Sequence, residues 1–267
     1  MFLSSLTAVK INLISFLNSF EYSFFIAVAL GVLLMGLSKS GFGAGIGFLA
    51  IPLIASYSSL ELALGLMLPV LTCIDFVGLK FFYRHFDRGV IKLIVPAALL
   101  GTVLGFLFYK SLNPSMVSVI VGILILIFLF FRAVNLNKQK ITQSNKFFGS
   151  IVALISGFTS FVAHNGGPPI LAYLLPLKLE PIKFAATLSI FFTAINIVKW
   201  VPYSYLGILN WNYIFLAMIY LPFVPIGVWL GYKLATVIPE KIYYRIVTIG
   251  MLIGGLKLLF DGVSQLN

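Results

Sequence analysis

Charged side chains are scarce in this chain, and the scarcity decides its class. Only 9% of the 267 residues are charged while 61% are hydrophobic, and mean hydropathy is +1.09. A water-soluble fold of this length could not cover its surface with so few charges. Acids are rarer still, seven against 18 lysines and arginines. With two histidines and one cysteine besides, the chain spells out no metal cluster and no nucleophile–base set. An enzyme is therefore not expected, and neither a metal nor a cofactor is required. Cys73 stands alone, which excludes an internal disulfide, and reads as packing within an apolar run.

Long apolar runs fill the space that charge leaves. The windows 93–109, 111–131 and 147–163 carry no charge at all, and a transmembrane helix needs about 20 mostly apolar residues. The short alternating segments of a β-barrel are absent. The expectation is an all-α polytopic membrane protein with apolar segments near 22–38, 41–57, 60–79, 92–109, 115–132, 147–163, 165–177, 182–200, 212–234 and 242–260. Residues 1–20 contain Lys10 and end in Asn18-Ser19-Phe20 without a small-residue cleavage site, so they read as an interfacial segment rather than a removable signal peptide. The net charge of +11 sits in the short connections between apolar runs. There the positive-inside rule explains it better than nucleic acid would.

The two sides of the basic stretch 132–146 resemble each other. Pro96, Gly101 and Gly105 recur as Pro222, Gly227 and Gly231 at an offset of 126 residues, and 47–51 corresponds to 167–171 at an offset of 120. A series of matches in constant order points to duplication. The division is then an N-terminal segment 1–20, a first transmembrane repeat 21–134, a cytoplasmic basic linker 135–146 and a second repeat 147–262. With 132–146 inside, the basic loop 80–92 also falls inside, whereas its second-half equivalent 202–212 is uncharged and falls outside. The halves thus read as inverted repeats of five segments, as in secondary transporters whose substrate sites lie near midplane. Segment 165–177 would be about 20 Å long as a helix, short of the ~30 Å hydrocarbon core. The first pair of segments in each half is therefore expected to be a hairpin of broken helices.

Chemistry is expected at those breaks. Lys39-Ser40-Gly41-Phe42-Gly43-Ala44-Gly45-Ile46-Gly47 alternates glycine with other residues, giving an opened backbone that a bilayer tolerates only beside protein or a cavity. The second half answers with His164-Asn165-Gly166-Gly167-Pro168-Pro169, where proline suits a helix start. Helix N-termini at such breaks attract anions, and Lys39 adds a full positive charge. The candidate substrate-binding residues are Lys39, Ser40, Gly41, Gly43, Gly45, His164, Asn165, Gly166, Gly167 and Pro168. Plainer readings stand beside them: Lys39 could snorkel to a headgroup, and His164 could be a neutral core histidine. Gly101, Gly105, Gly227 and Gly231 read as helix packing. Asp75 and His164 are candidates for proton coupling or a structural pair; for Asp75 the favoured partner is Lys80, five residues on, or Arg84. Asn196 occupies the matching place at an offset of 121. Lys199 and Trp200 read as an interfacial anchor, though Lys199 could add positive potential along an anion route.

The run S-G-F-G-A-G-I-G-F-L-A-I-P at 40–52 is similar to the first glycine-rich motif of the TauE/SafE sulfite-exporter family of permeases. G-F-T-S-F-V-A-H-N-G-G-P-P-I-L-A-Y-L-L at 157–175 and F-A-A-T-L-S-I-F-F-T-A-I-N at 184–196 resemble its second half. The resemblance covers nearly the whole chain from about residue 22. It implies transport of a sulfur-containing anion: sulfite, thiosulfate, a sulfonate or a sulfoacetate-like acid. It carries Gly41, Gly43, Gly45, Pro52, Asn165, Gly166, Gly167 and Pro168 over as motif positions, while Lys39 and His164 rest on physics alone. The expected protein is a multi-pass secondary permease of the cell (inner) membrane working by alternating access, with proton coupling and homo-oligomerisation left open. Its partners are the small anion and the lipid bilayer. An anion channel, or a carrier of a non-sulfur organic acid, is the alternative. The inverted orientation has a direct check: a cysteine placed in 202–212 should label from outside the cell, and labelling from the inside alone would break the scheme.

Overall fold

A computed structural model of the chain describes residues 15–42, 47–134 and 145–264, and among these all regular structure is helical. Helix α1 spans Tyr22–Leu37 and runs into a wide π-helical turn, Ser38–Phe42. A 3-10 turn, Gly47–Leu49, leads into the short α2, Ala50–Ala55. Then come α3 (Leu60–Phe82), α4 (Arg88–Phe108) and α5 (Pro114–Val134). The second half holds α6 (Lys146–Ala163), α7 (Gly167–Leu174), α8 (Pro181–Tyr205), α9 (Trp211–Tyr220), α10 (Phe223–Val237) and α11 (Glu240–Ser264). Of the basic linker, residues 135–144 lie outside the described ones.

Polar residues in the connections start the helices. Ser59 Oγ accepts from the Leu62 N–H at 3.1 Å, Asp87 Oδ1 from Val90 at 3.0 Å and Asn210 Oδ1 from Tyr213 at 3.0 Å. Each satisfies a donor that the first turn leaves unpaired. Asp87 also meets Lys183 Nζ at 2.9 Å, and that ammonium, with the Val90 amide, holds its carboxyl below the usual carboxylate range. The same contact seats the start of α8 beside the α3–α4 connection.

Among the described residues six helices are long and apolar enough to cross a membrane, or seven if α9 and α10 count as one bent span. The sequence suggests one continuous segment over 212–234; instead the helix stops at Tyr220 and restarts at Phe223 with a 57° bend. Pro222 and Pro225 remove two backbone donors within four residues there. Large apolar side chains such as Leu107, Phe130, Val201 and Phe260 stand outward, as a hydrocarbon solvent requires.

The chain turns back on itself in both halves. Gly31 lies against Ile54, and Gly47 against Met35 and Ser38, whose Oγ accepts the Gly47 N–H at 2.8 Å. So α2 returns alongside α1. In the second half Gly149 lies against Tyr173 and Gly166 against Ser156 and Ser160, so α7 returns along α6. In each pair only the returning helix is short; α1 with its turn and α6 are each long and apolar enough to cross a membrane.

Two seams join the halves. In one, α4 packs on α6, with Gly101 against the backbone at Leu154 and Gly157 against that at Ala98. In the other, α10 packs on α1 and its π turn: Gly227 meets Gly36, and Gly231 meets Leu37 and Gly41. A Cβ on Gly101, Gly157, Gly231 or Gly41 would run into main chain, Gly36 and Gly227 leave room only for tight contact, and Gly105 lies against Phe161, so the four glycines read as packing residues do pack. Helices α3 and α8 meet at the centre, and α5 pairs with α11. Gly101→Leu is expected to lower the thermal midpoint of the detergent-purified protein by an overpacking cost of ~1–3 kcal/mol or more. Gly207→Leu meets open space but stands at φ 76°, so its loss should be only the roughly 1–2 kcal/mol of left-handed strain, with no packing cost. Equal midpoints for Gly101→Leu and the parent would remove the seam.

Candidate functional site

The breaks and the two central helices bring the buried polar residues together. The π turn after α1 points Lys39 inward, where its side chain is 6% exposed, against Asp75 of α3 at 2%. Lys39 Nζ donates to Asp75 Oδ1 in a close ion pair. The other carboxylate oxygen, Oδ2, accepts from Asn196 Nδ2 of α8 at 2.7 Å. The Phe192 ring lies 5.3 Å from Lys39 Nζ, near enough for a cation–π contact.

One turn beyond Asn196 on the same face of α8 stands Lys199, with no exposed surface. Its ammonium donates to the carbonyl of Ser160 at 2.6 Å, to Ser160 Oγ at 2.7 Å and to Asn196 Oδ1 at 3.3 Å, and meets His164 Nδ1 at 3.1 Å. His164 ends α6 in a left-handed conformation, φ 51°, which costs a non-glycine residue roughly 1–2 kcal/mol. On the far side of the ring, Nε2 lies 3.0 Å from the Leu64 carbonyl of α3. A carbonyl only accepts, so Nε2 carries the hydrogen and Nδ1 turns its lone pair to Lys199. The arrangement suits a neutral imidazole, the plainer of the two readings of His164. A continuous polar chain thus runs Lys39, Asp75, Asn196, Lys199, His164, Leu64.

The structure corrects two sequence readings. Asp75 pairs with Lys39, 36 residues away, and not with Lys80 or Arg84. Five residues along a helix is about 140° round its axis, and Lys80 is exposed. Lys199 is no interfacial anchor, since it lies wholly within the bundle; only Trp200 keeps partial exposure while donating to Thr72 Oγ1 at 2.9 Å. Ser160 goes unremarked in the sequence, although it matches Lys39 at the same offset of 121 that relates Asp75 to Asn196.

The other candidates fall on the two breaks. Ser40 is buried, and Gly41 sits against the Gly231 backbone, where its lack of a side chain serves the α10 seam. Gly43 and Gly45 lie outside the described residues. Asn165 O accepts from Thr159 Oγ1 at 3.2 Å, and Gly166 O from Ser156 Oγ at 2.5 Å. The buried Asn165 Oδ1 has no partner among the described residues. Gly167 and Pro168 are buried in the first turn of α7. Among the described residues no three of His, Cys, Asp or Glu come together to hold a metal ion.

Residues 28–258 match the family model described as Sulfite exporter TauE/SafE. No curated protein and no solved structure matches.

Because Lys39 and Asp75 are buried together, removing either should cost more than removing both. Each single variant, Lys39→Met or Asp75→Asn, strands a buried charge at about 3–5 kcal/mol, while the double variant should recover much of that loss. Thermal unfolding across the four-protein cycle checks it, and strictly additive losses would mean the two side chains do not act as a pair.

Proposed function

The chain belongs to the TauE/SafE sulfite exporter family, a family of membrane transporters, and from that premise we propose that it is a secondary permease moving a small sulfur-containing anion by alternating access. The observation that carries the reading is the buried cluster: two lysines and one acid, far from water, beside two backbone breaks. Buried ionisable residues in a membrane protein are costly and mark substrate or ion routes. Here the excess is positive, as a site for an anion needs. Lys39, the turn at 38–42 and the break at 164–168 would supply its walls, including Ser40, Gly41, His164, Asn165, Gly166, Gly167 and Pro168, while Gly43 and Gly45, outside the described residues, are carried by the family motif alone.

Alternating access rests on an inverted repeat, and several observations support that reading. If α1, α2 and α3 correspond to α6, α7 and α8, then the α4–α6 seam is the counterpart of the α10–α1 seam. The α3–α8 and α5–α11 contacts are each their own counterpart. Gly101 and Gly105 on one seam match Gly227 and Gly231 on the other. The hairpins α1–α2 and α6–α7 then enter and leave on one side, and α3 and α8 cross between them. The two bodies would rock about the central cluster, exposing it alternately to either face of the cell membrane. Asp75 is the one buried acid, and so the residue through which protons would couple to the anion.

Flux into proteoliposomes with sulfite, thiosulfate, taurine, sulfoacetate, sulfate and acetate tests the assignment. Saturable uptake of at least one sulfur anion is expected, in preference to acetate. Uptake of none would sink the substrate class, and a current that grows linearly with anion concentration would make the protein a channel.

A further inference from the structure

The charges of the cluster can be counted. Among the described residues the buried side chains of lysine, arginine, aspartate or glutamate are Lys39, Asp75 and Lys199, and all seven acids of the chain lie within the described ranges. The acids in ion pairs are Asp75 with Lys39, Asp87 with Lys183 and Asp261 with Lys257. Lys199 therefore has no carboxylate. It holds neutral acceptors instead: the Ser160 carbonyl and hydroxyl, the Asn196 amide oxygen and the lone pair of His164 Nδ1. Two of these, the carbonyl and the amide oxygen, can only accept, and a third is committed to accepting because His164 Nε2–H is turned to Leu64. An ammonium with three donors suits that shell better than an amine with two.

With Lys199 as the ammonium that this shell of acceptors suits and His164 as its neutral acceptor, the ledger of charge is +1 from Lys39, −1 from Asp75 and +1 from Lys199. One positive charge stays buried without a counter-ion. Isolated buried charge is strongly unfavourable, and burial is relieved when an opposite charge arrives. We infer that Lys199 is the anion-binding cation of the site and that the cluster's single net positive charge selects monoanions, such as hydrogen sulfite or a sulfonate head group, over dianions. Lys39 is held by Asp75 and lends position rather than net charge. Asn196 links the two lysines, one amide end on Asp75 and the other on Lys199. The buried amide of Asn165, next to His164 and unpartnered at Oδ1, offers a further polar contact to a ligand lodged there.

This rests on the transport reading above but is measured separately from it. Methanesulfonate is the monoanionic probe and thiosulfate the dianionic one, each tested by thermal stabilisation of the purified protein in detergent and by proteoliposome flux. The parent should be stabilised by methanesulfonate at concentrations at least about tenfold lower than thiosulfate requires. Lys199→Met, with no net charge in the cluster, should lose that stabilisation and lose flux by about tenfold or more, whereas Lys199→Arg should keep the monoanion preference. Asp75→Asn raises the net charge to two and should move the preference toward thiosulfate. Sulfite gives an internal control: the parent should favour it below its second ionisation, and Asp75→Asn above it. The groups facing the anion through that change are Lys39, Asp75, Lys199 and neutral His164.

A Lys199→Met protein that keeps methanesulfonate stabilisation and flux would overturn the inference, as would an Asp75→Asn protein whose preference ratio is unchanged. If Lys199→Met does not fold, the Asp75→Asn and Lys199→Arg comparisons decide the matter. If the parent moves neither anion across a bilayer, the transport reading fails while the stabilisation series still reads charge preference. No stabilisation of the parent by either anion would overturn the charge-matched site itself.

Discussion

The ion pair between Lys39 and Asp75 constrains everything around it. Each charge offsets the cost of burying the other, and the two approach from elements 36 residues apart in sequence. Helix α1 has to give way to the π turn where it does for Lys39 to reach α3. Helix α8 must lie close enough to α3 for Asn196 to close the second carboxylate oxygen. Through Asn196 the same constraint fixes Lys199, then Ser160 at the end of α6, then His164 at the break. Four separate elements are registered against one another by side chains that have no other way of being satisfied. That registry is what a hydrophobic seam alone does not supply, since apolar contacts inside lipid are weakly directional.

Glycine does the complementary work. The polar chain demands that helices come close at the centre, and the two seams let them. At Gly101 and Gly157 on one side, and at Gly36, Gly227 and Gly231 on the other, main chain touches main chain. The hairpins follow a similar logic, with a serine hydroxyl tying off the opened backbone in each half: Ser38 on Gly47 and Ser156 on Gly166. A broken helix survives inside a bundle only when its freed amides and carbonyls find such partners.

The helical class, the multi-pass character and the places where the chain breaks were legible in the sequence, because apolar length and glycine–proline spacing are local signals. So was the packing role of Gly101, Gly105, Gly227 and Gly231. The partner of Asp75 was not, because helical periodicity names neighbours three or four residues away and is silent about a cation on another element. Lys199 was misplaced for a related reason: a lysine beside a tryptophan near a helix end carries the same composition whether it faces lipid headgroups or the core. Its spacing from Asn196, three residues on one face, was the signal that could have distinguished them, given that Asn196 matches Asp75 in the repeat. The bend between α9 and α10 was written in Pro222 and Pro225, but unbroken hydropathy over 212–234 concealed it.

The glycine seams have a mechanical side as well. Helices locked by interdigitating side chains must lift ridges out of grooves before they can move past one another, and each step asks several rotamers to change at once. Where Gly36, Gly227, Gly231 and Gly41 meet, there are no teeth to disengage. Smooth surfaces of this kind resist separation but offer little friction to sliding. The stiffness of the bundle is thereby concentrated in the polar chain at its centre, and the periphery is left as a bearing.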